Sequence, residues 1–295
     1  MIKGFVITPP VLGRISIGCV VEKNGQRLPE KDDQFTLTTQ VQRKDGWITH
    51  PLDKELREST NQEKLRTIPI RLPFNQPELN FRAEYNFFSR KTGRPVCMGD
   101  GEQCKRRTDN GIEQLPCPGP ELCEFGKGGL CKPYGRLNVT INEQDTLGTF
   151  IFRTTGFNSL RTLSARLHYY QAVSGNLLSC LPLALKLRGK SSAQSFKQTI
   201  YYVDIVIDES LTIEQAISQA KVEHENRVNS GFNQEALDSA AARCFANGAF
   251  EYDEDEGTNI VEEFYSDTTT NSNSSIQKTN NDDIKAKIKA NDKKP

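Results

Sequence analysis

LNFRAEYNF, residues 79–87, sets Leu79, Phe81, Ala83, Tyr85 and Phe87 alternately against Asn80, Arg82, Glu84 and Asn86. Successive strand residues point to opposite faces, so a period of two predicts a β-strand with one apolar face. Upstream, QFTLTTQVQ (34–42) and TIPIRLP (67–73) are shorter strand candidates separated by turn residues. Residues 1–90 therefore form a β-rich N-terminal part. Downstream, from Lys91 to Pro133, glycine, proline, charge and cysteine dominate, and only scattered apolar residues remain. So long an irregular stretch within a compact domain needs a covalent or metal constraint to hold it. Residues 91–133 are read as a zinc-binding cysteine segment.

Regular patterning returns over 134–250. RLNVTI and TFIFRT read as strands, and SLRTLSARLHYYQAV (159–173) reads as a helix capped by Ser159. Leu160, Leu163, Leu167 and Tyr170 fall on one side of that helix, and Gly175 suits its end. In CLPLALKLR, Leu181, Leu183, Leu185 and Leu187 share a face, while Pro182 favours an edge position. GKSS (189–192) reads as a hairpin turn leading into the strand TIYYVDIVID. Thr212 with Gln215 forms a capping-box pattern, and Asn233 suits the start of a second helix. Residues 251–295, with EYDEDE and an asparagine- and threonine-rich run, read as a disordered tail because they cannot bury enough surface to offset ordering entropy. The expected class is α+β: a β-rich N-terminal part, the cysteine segment, a helix packed on a mainly antiparallel sheet, then C-terminal helices and the tail.

Five of the eight cysteines fall in the middle segment, spaced C-x6-C-x12-C-x5-C-x7-C from Cys97 to Cys131. Zinc takes four soft ligands tetrahedrally, and loops rich in glycine and proline let thiolates converge. Cys97, Cys117, Cys123 and Cys131 are the expected ligands of a structural Zn2+. Cys104 is the alternate, since it sits in the charged stretch EQCKRR. Ordinary thiols or disulfides are the competing reading, disfavoured in a reducing compartment and by the odd count. His50, His168 and His224 lie on no ligand motif, and Cys19, Cys180 and Cys244 sit in apolar surroundings that suit packing.

Lysine plus arginine equals aspartate plus glutamate at 38 each, which excludes a simple polybasic nucleic-acid binder. The balance conceals a local asymmetry. No acidic residue occurs between Asp145 and Asp204, whereas Arg153, Arg161, Arg166, Lys186, Arg188 and Lys190 do, interleaved with aromatics. Such a run suits contact with nucleic acid or with an acidic partner, against the alternative of a solvated face. Asp204, Asp208 and Glu209 read as solvent-facing carboxylates. No P-loop, nucleophile elbow, H-E-x-x-H or dinucleotide fingerprint occurs, so no catalytic residue is assigned. The N-terminal residues lack a signal peptide's apolar run and no stretch approaches a membrane span, so a cytoplasmic chain is expected.

TPPVLGRISIG, LPEKDDQF, the cysteine segment ending CKPYGRLNVTI, FIFRTTGFNSLRTLSARL, PLALKLR and YYVDIVID together resemble the recombination directionality factor-like family of phages and mobile elements. Some members of that family carry the label "hydrolase or metal-binding protein". The likeness spans residues 1 to about 215. It implies a non-enzymatic regulator that binds a large serine integrase already on DNA and redirects it from integration to excision. It also implies that Cys97, Cys117, Cys123 and Cys131 match the family's cysteine cluster, while Cys104 and the tail depart from the pattern. Two alternatives are a metal-dependent hydrolase acting on nucleic acid and a zinc-stabilised DNA-binding protein of phage replication or transcription.

Overall fold

The computed structural model describes residues 10–23, 26–43, 46–60, 63–141, 148–191, 199–245 and 264, with backbone alone for 19–31, 42 and 245. The chain opens with strands β1 (Val11–Lys23), β2 (Gln26–Arg43) and β3 (Gly46–Thr49), helix α1 (Pro51–Thr60), strand β4 (Thr67–Ile70) and a one-turn helix α2 (Pro77–Asn80). Strands β5 (Phe81–Phe88), β6 (Pro95–Gly99), β7 (Gln103–Thr108) and β8 (Gly111–Pro116) follow, then a short helix α3 (Glu124–Lys127) and strands β9 (Cys131–Val139) and β10 (Thr149–Thr154). Helix α4 (Phe157–Val173), strands β11 (Leu183–Lys190) and β12 (Ile200–Ile207), and helices α5 (Ile213–Asn229) and α6 (Gln234–Phe245) complete the order.

A nine-stranded sheet runs β3-β2-β1-β10-β9-β5-β6-β7-β8, and a three-stranded sheet runs β12-β11-β4. The β1–β10 pair is parallel; the other strand pairs are antiparallel. The α+β class holds. One core joins both sheets: Phe81, Leu137, Phe152 and Ile15 of the large sheet pack with Leu163 and Leu167 of α4 and with Leu183, Leu185 and Val203 of the small one. Gly135 on β9 sets how closely α4 approaches. A Cβ there would lie 2.5 Å from Leu160 Cδ2 and 2.7 Å from the Phe81 ring. Gly135→Ala is therefore expected to cost about 1–3 kcal/mol by overpacking, read as a lower urea midpoint at unchanged slope.

Several local readings need correction. Leu79 and Asn80 belong to α2 and not to the strand, because Pro77 at its start preorganises a helical turn. Asn80 then locks that turn by bonding Phe74 through both side-chain atoms and Gln76 through Nδ2. The middle segment is not irregular but folds as strands β6, β7 and β8. Helix α4 begins two residues before Ser159, with Gly156 as its cap. Ser159 is buried, and its Oγ accepts the Val203 N–H at 3.1 Å. Strand β11 is central, between β12 and β4; Pro182 lies just outside it, so its missing N–H costs no ladder bond. The Thr212–Gln215 capping box is formed, and Asn233 Oδ1 accepts Ala236 N–H at 2.9 Å. The hairpin turn beyond Ser191 and the tail lie outside the described residues, with the exception of Phe264.

Candidate metal centre and basic surface

Strand register brings the middle cysteines to one side of the sheet. Cys131 on β9 and Cys97 on β6 both pair with Phe87 of β5, and Cys97 pairs with Arg106 of β7. Residues directly opposite in a ladder share a face. Cys104 precedes Arg106 by two and shares that face, while Lys105 and Arg107 point to the other. The charged neighbours of Cys104 therefore do not separate it from the cluster. Cys117 sits just past the end of β8, held by its N–H to the Glu102 carbonyl at 2.9 Å. Cys123 caps α3, which folds back over the sheet so that the Phe125 ring lies 5.1 Å from that of Phe87.

Arg106 stands among these thiols. Its Nε donates to Cys97 Sγ at 3.5 Å, its other guanidinium edge reaches Cys123 Sγ at 3.8 Å, and it lies 4.7 Å from the Phe125 ring centre. Cys97 and Cys104 are buried, and Cys117, Cys123 and Cys131 are half-buried. Burial, then the neighbouring Cys97, pushes the Cys104 thiol up to about 11. Burial, followed by Cys97, Cys123 and Cys117, pushes Cys131 up to about 12. Gly99 leaves the space they need: a Cβ there would lie 2.7 Å from Cys104 Cβ and 2.8 Å from Cys117 Sγ.

Among the described residues, no three His, Cys, Asp or Glu side chains close to ligating distance around a common point. The ligand set is therefore not drawn by the geometry. The donor chemistry nonetheless fits a soft divalent ion, because five buried or half-buried thiols share one face, a guanidinium balances thiolate charge, and Gly99 keeps the space clear. A closed site would take four of these thiols, the metal replacing their protons. The packing readings of Cys180 and Cys244 meet a buried and a half-buried side chain respectively; the side chain of Cys19 lies outside the described residues.

The basic residues divide. Arg161 and Arg166 lie on α4, and Lys186, Arg188 and Lys190 on β11, joined where Lys190 Nζ donates to Asn158 Oδ1 of α4 at 2.6 Å. Arg153 stands apart. Phe152 beside it faces the core, which turns Arg153 to the opposite face of the large sheet, in register with Arg136 and, through it, Arg82. Asp204 is no solvent-facing carboxylate. It is 2% exposed, and its two oxygens accept from Arg166 Nε at 3.2 Å and Arg188 Nε at 2.6 Å. Both guanidiniums remain nearly half exposed. Lys186 pairs with Glu209. The acid-free run in sequence thus meets two acids from the next strand and turn, which fix its cations in place.

Lys105, Arg106 and Arg107 read from sequence as part of a basic surface; that Arg106 instead stands among the thiols against Phe125 escaped that reading, because a stretch taken as irregular offers no register. The alternation Cys104, Arg106 within β7 was the available signal. Among the described residues no helix is long and apolar enough to cross a membrane. A family model described as Gp3-like, recombination directionality factor-like, matches residues 12–208, more than half the chain. No curated protein and no solved structure matches it.

Proposed function

We propose, since the chain belongs to the recombination directionality factor-like family, that it is a non-enzymatic regulator which binds a large serine integrase on its DNA and favours excision over integration. The family match carries this reading. The pair of guanidiniums held by buried Asp204 supports it, because cations fixed in advance lose little freedom on meeting phosphate or carboxylate. Arg161, Lys186 and Lys190 would widen the same surface, and Arg153 would act from the other side of the sheet. The cysteine face takes one structural zinc, whose role is to hold β6, β7, β8 and the α3 loop as one unit. This division of labour needs no catalytic residue in the chain.

The deciding experiment reconstitutes the cognate recombinase with its attachment sites and follows both directions of recombination. Adding the chain is expected to raise excision and suppress integration at near-stoichiometric amounts. No change in the balance, together with no binding to the recombinase–DNA complex, would leave a zinc-stabilised DNA-binding protein as the better account.

A further inference from the structure

Hydrogen bonding separates the middle cysteines by role. Arg106 pairs in register with Cys97 of β6 on one side and with Glu113 of β8 on the other. Residues directly opposite in a ladder share a face, so a thiol and a carboxylate flank the guanidinium. It turns to sulfur. Among the described residues its hydrogen bonds run to Cys97 Sγ at 3.5 Å and Cys123 Sγ at 3.8 Å, and to no carboxylate. A neutral thiol is a weak acceptor, whereas a thiolate takes a charge-assisted bond from a guanidinium. Cys104 behaves in the opposite sense: its Sγ donates to the Pro116 carbonyl at 3.7 Å, the bond of a thiol that keeps its proton.

Arg106 is itself fixed. The Phe125 ring of α3 lies 4.7 Å from the guanidinium and 5.1 Å from the ring of Phe87, the β5 residue that pairs with both Cys97 and Cys131. A planar cation held by a ring and by two sulfurs loses little freedom in serving a ligand set. Its two acceptors come from separate elements, Cys97 from β6 and Cys123 from the start of α3. The guanidinium therefore links the α3 loop to the sheet. A divalent ion bound by four thiolates carries excess negative charge, which is costly in a half-buried site without a cation beside it.

We infer that Arg106 is a positioning residue of the metal centre, which holds Cys97 and Cys123 as thiolate ligands and offsets the charge of the ligand set. The inference rests on the zinc reading of the cysteine face and adds to it a residue that touches no metal. It also removes Arg106 from the cations open to a partner.

The test uses the full chain loaded with zinc, with a chromophoric chelator as competitor, for wild type, Arg106→Leu, Arg106→Lys and Arg107→Leu. Arg106→Leu is expected to hold zinc about 10–100-fold less tightly, the usual cost of removing an outer partner of a metal ligand. Arg106→Lys should fall between the two, since the charge remains but the two-edged fork is lost. Arg107 is exposed on the other face of β7, so Arg107→Leu should match wild type. Cobalt in place of zinc gives a signature that a packing defect does not. The thiolate-to-cobalt charge-transfer band should move to longer wavelength in Arg106→Leu, because sulfur relieved of its hydrogen bonds gives up charge more easily. Equal zinc affinity in wild type and Arg106→Leu, with an unmoved cobalt band, would overturn the role of Arg106 and leave the zinc reading standing. A wild-type chain that takes up neither metal would overturn the zinc reading and this role with it. If Arg106→Leu does not melt cooperatively at saturating zinc, Arg106→Lys carries the comparison, and wild-type affinity there overturns the proposal. If neither variant folds, Arg106 serves the fold and the proposal fails.

Discussion

A Cys131→Ser chain is expected to lose its zinc and, with it, the order of the segment from β6 to β9. Freshly purified wild-type protein should contain about one zinc per chain by elemental analysis, the stoichiometry of a closed four-thiolate site. Structural zinc contributes on the order of 10 kcal/mol to folding in small modules, more than strands with half-exposed faces could replace. Strand β8 has only exposed and half-buried residues, and Cys104 is the one buried residue of β7. Apolar packing there is thin. Chelation should therefore expose the segment to protease while the joint core of the two sheets, built on Leu137, Phe152, Leu163 and Leu185, stays folded. Gly99→Ala supplies an independent arm. It removes no donor, yet its Cβ would drive Cys104 and Cys117 apart, so zinc retention should fall with all five thiols present. Wild-type protein free of metal and indifferent to chelator would remove zinc from the account, and full zinc in Cys104→Ser beside loss in Cys117→Ser would settle which thiol is spare.

How far the fold could be read depended on how local each cause was. The alternation through 81–87 correctly marked a strand, but of its apolar face only Phe81 enters the core with α4; Ala83 is exposed, and Tyr85 and Phe87 are half-buried. The opposite face reads as polar through Asn86, yet Asn86 is buried, as is Phe88 at the strand's end. Phe88 is covered by Phe264, and no window around Phe88 contains that partner. Charge failed in the same way. A stretch empty of acids looked like an open basic patch, but the β11–β12 hairpin sets Lys186 opposite Asp204 and so delivers a carboxylate to Arg166 and Arg188. Capping was legible at Thr212 and Asn233, where donor and acceptor are three residues apart. It misled at Ser159, whose hydroxyl serves a strand far along the chain. The cysteines lay between these cases: their number was plain, but the shared face follows from the register of β5, β6, β7 and β9.

The buried carboxylate also shapes the test of the basic surface. Changing Arg161, Arg166, Lys186 and Arg188 together to glutamine should weaken binding to the recombinase–DNA complex and flatten its salt dependence. If each cation meets one phosphate, the slope of log affinity against log salt should fall by up to roughly 3–4, at about 0.9 per contact. The fourfold change, however, leaves Asp204 buried without a cationic partner, which penalises folding. Adding Asp204→Asn removes that charge and keeps a hydrogen-bonding group of the same size beside the two glutamines. The fivefold variant should therefore melt closer to wild type than the fourfold one, and both should bind equally poorly, because neither presents the cations. Asp204→Asn alone separates position from charge. Its arginines remain but lose their anchor, so affinity should fall modestly while the salt slope stays near wild type. A fivefold variant that folds, keeps its zinc and still binds the complex with an unchanged salt slope would move the contact away from α4 and β11, leaving the face of Arg82, Arg136 and Arg153 as the next surface to change.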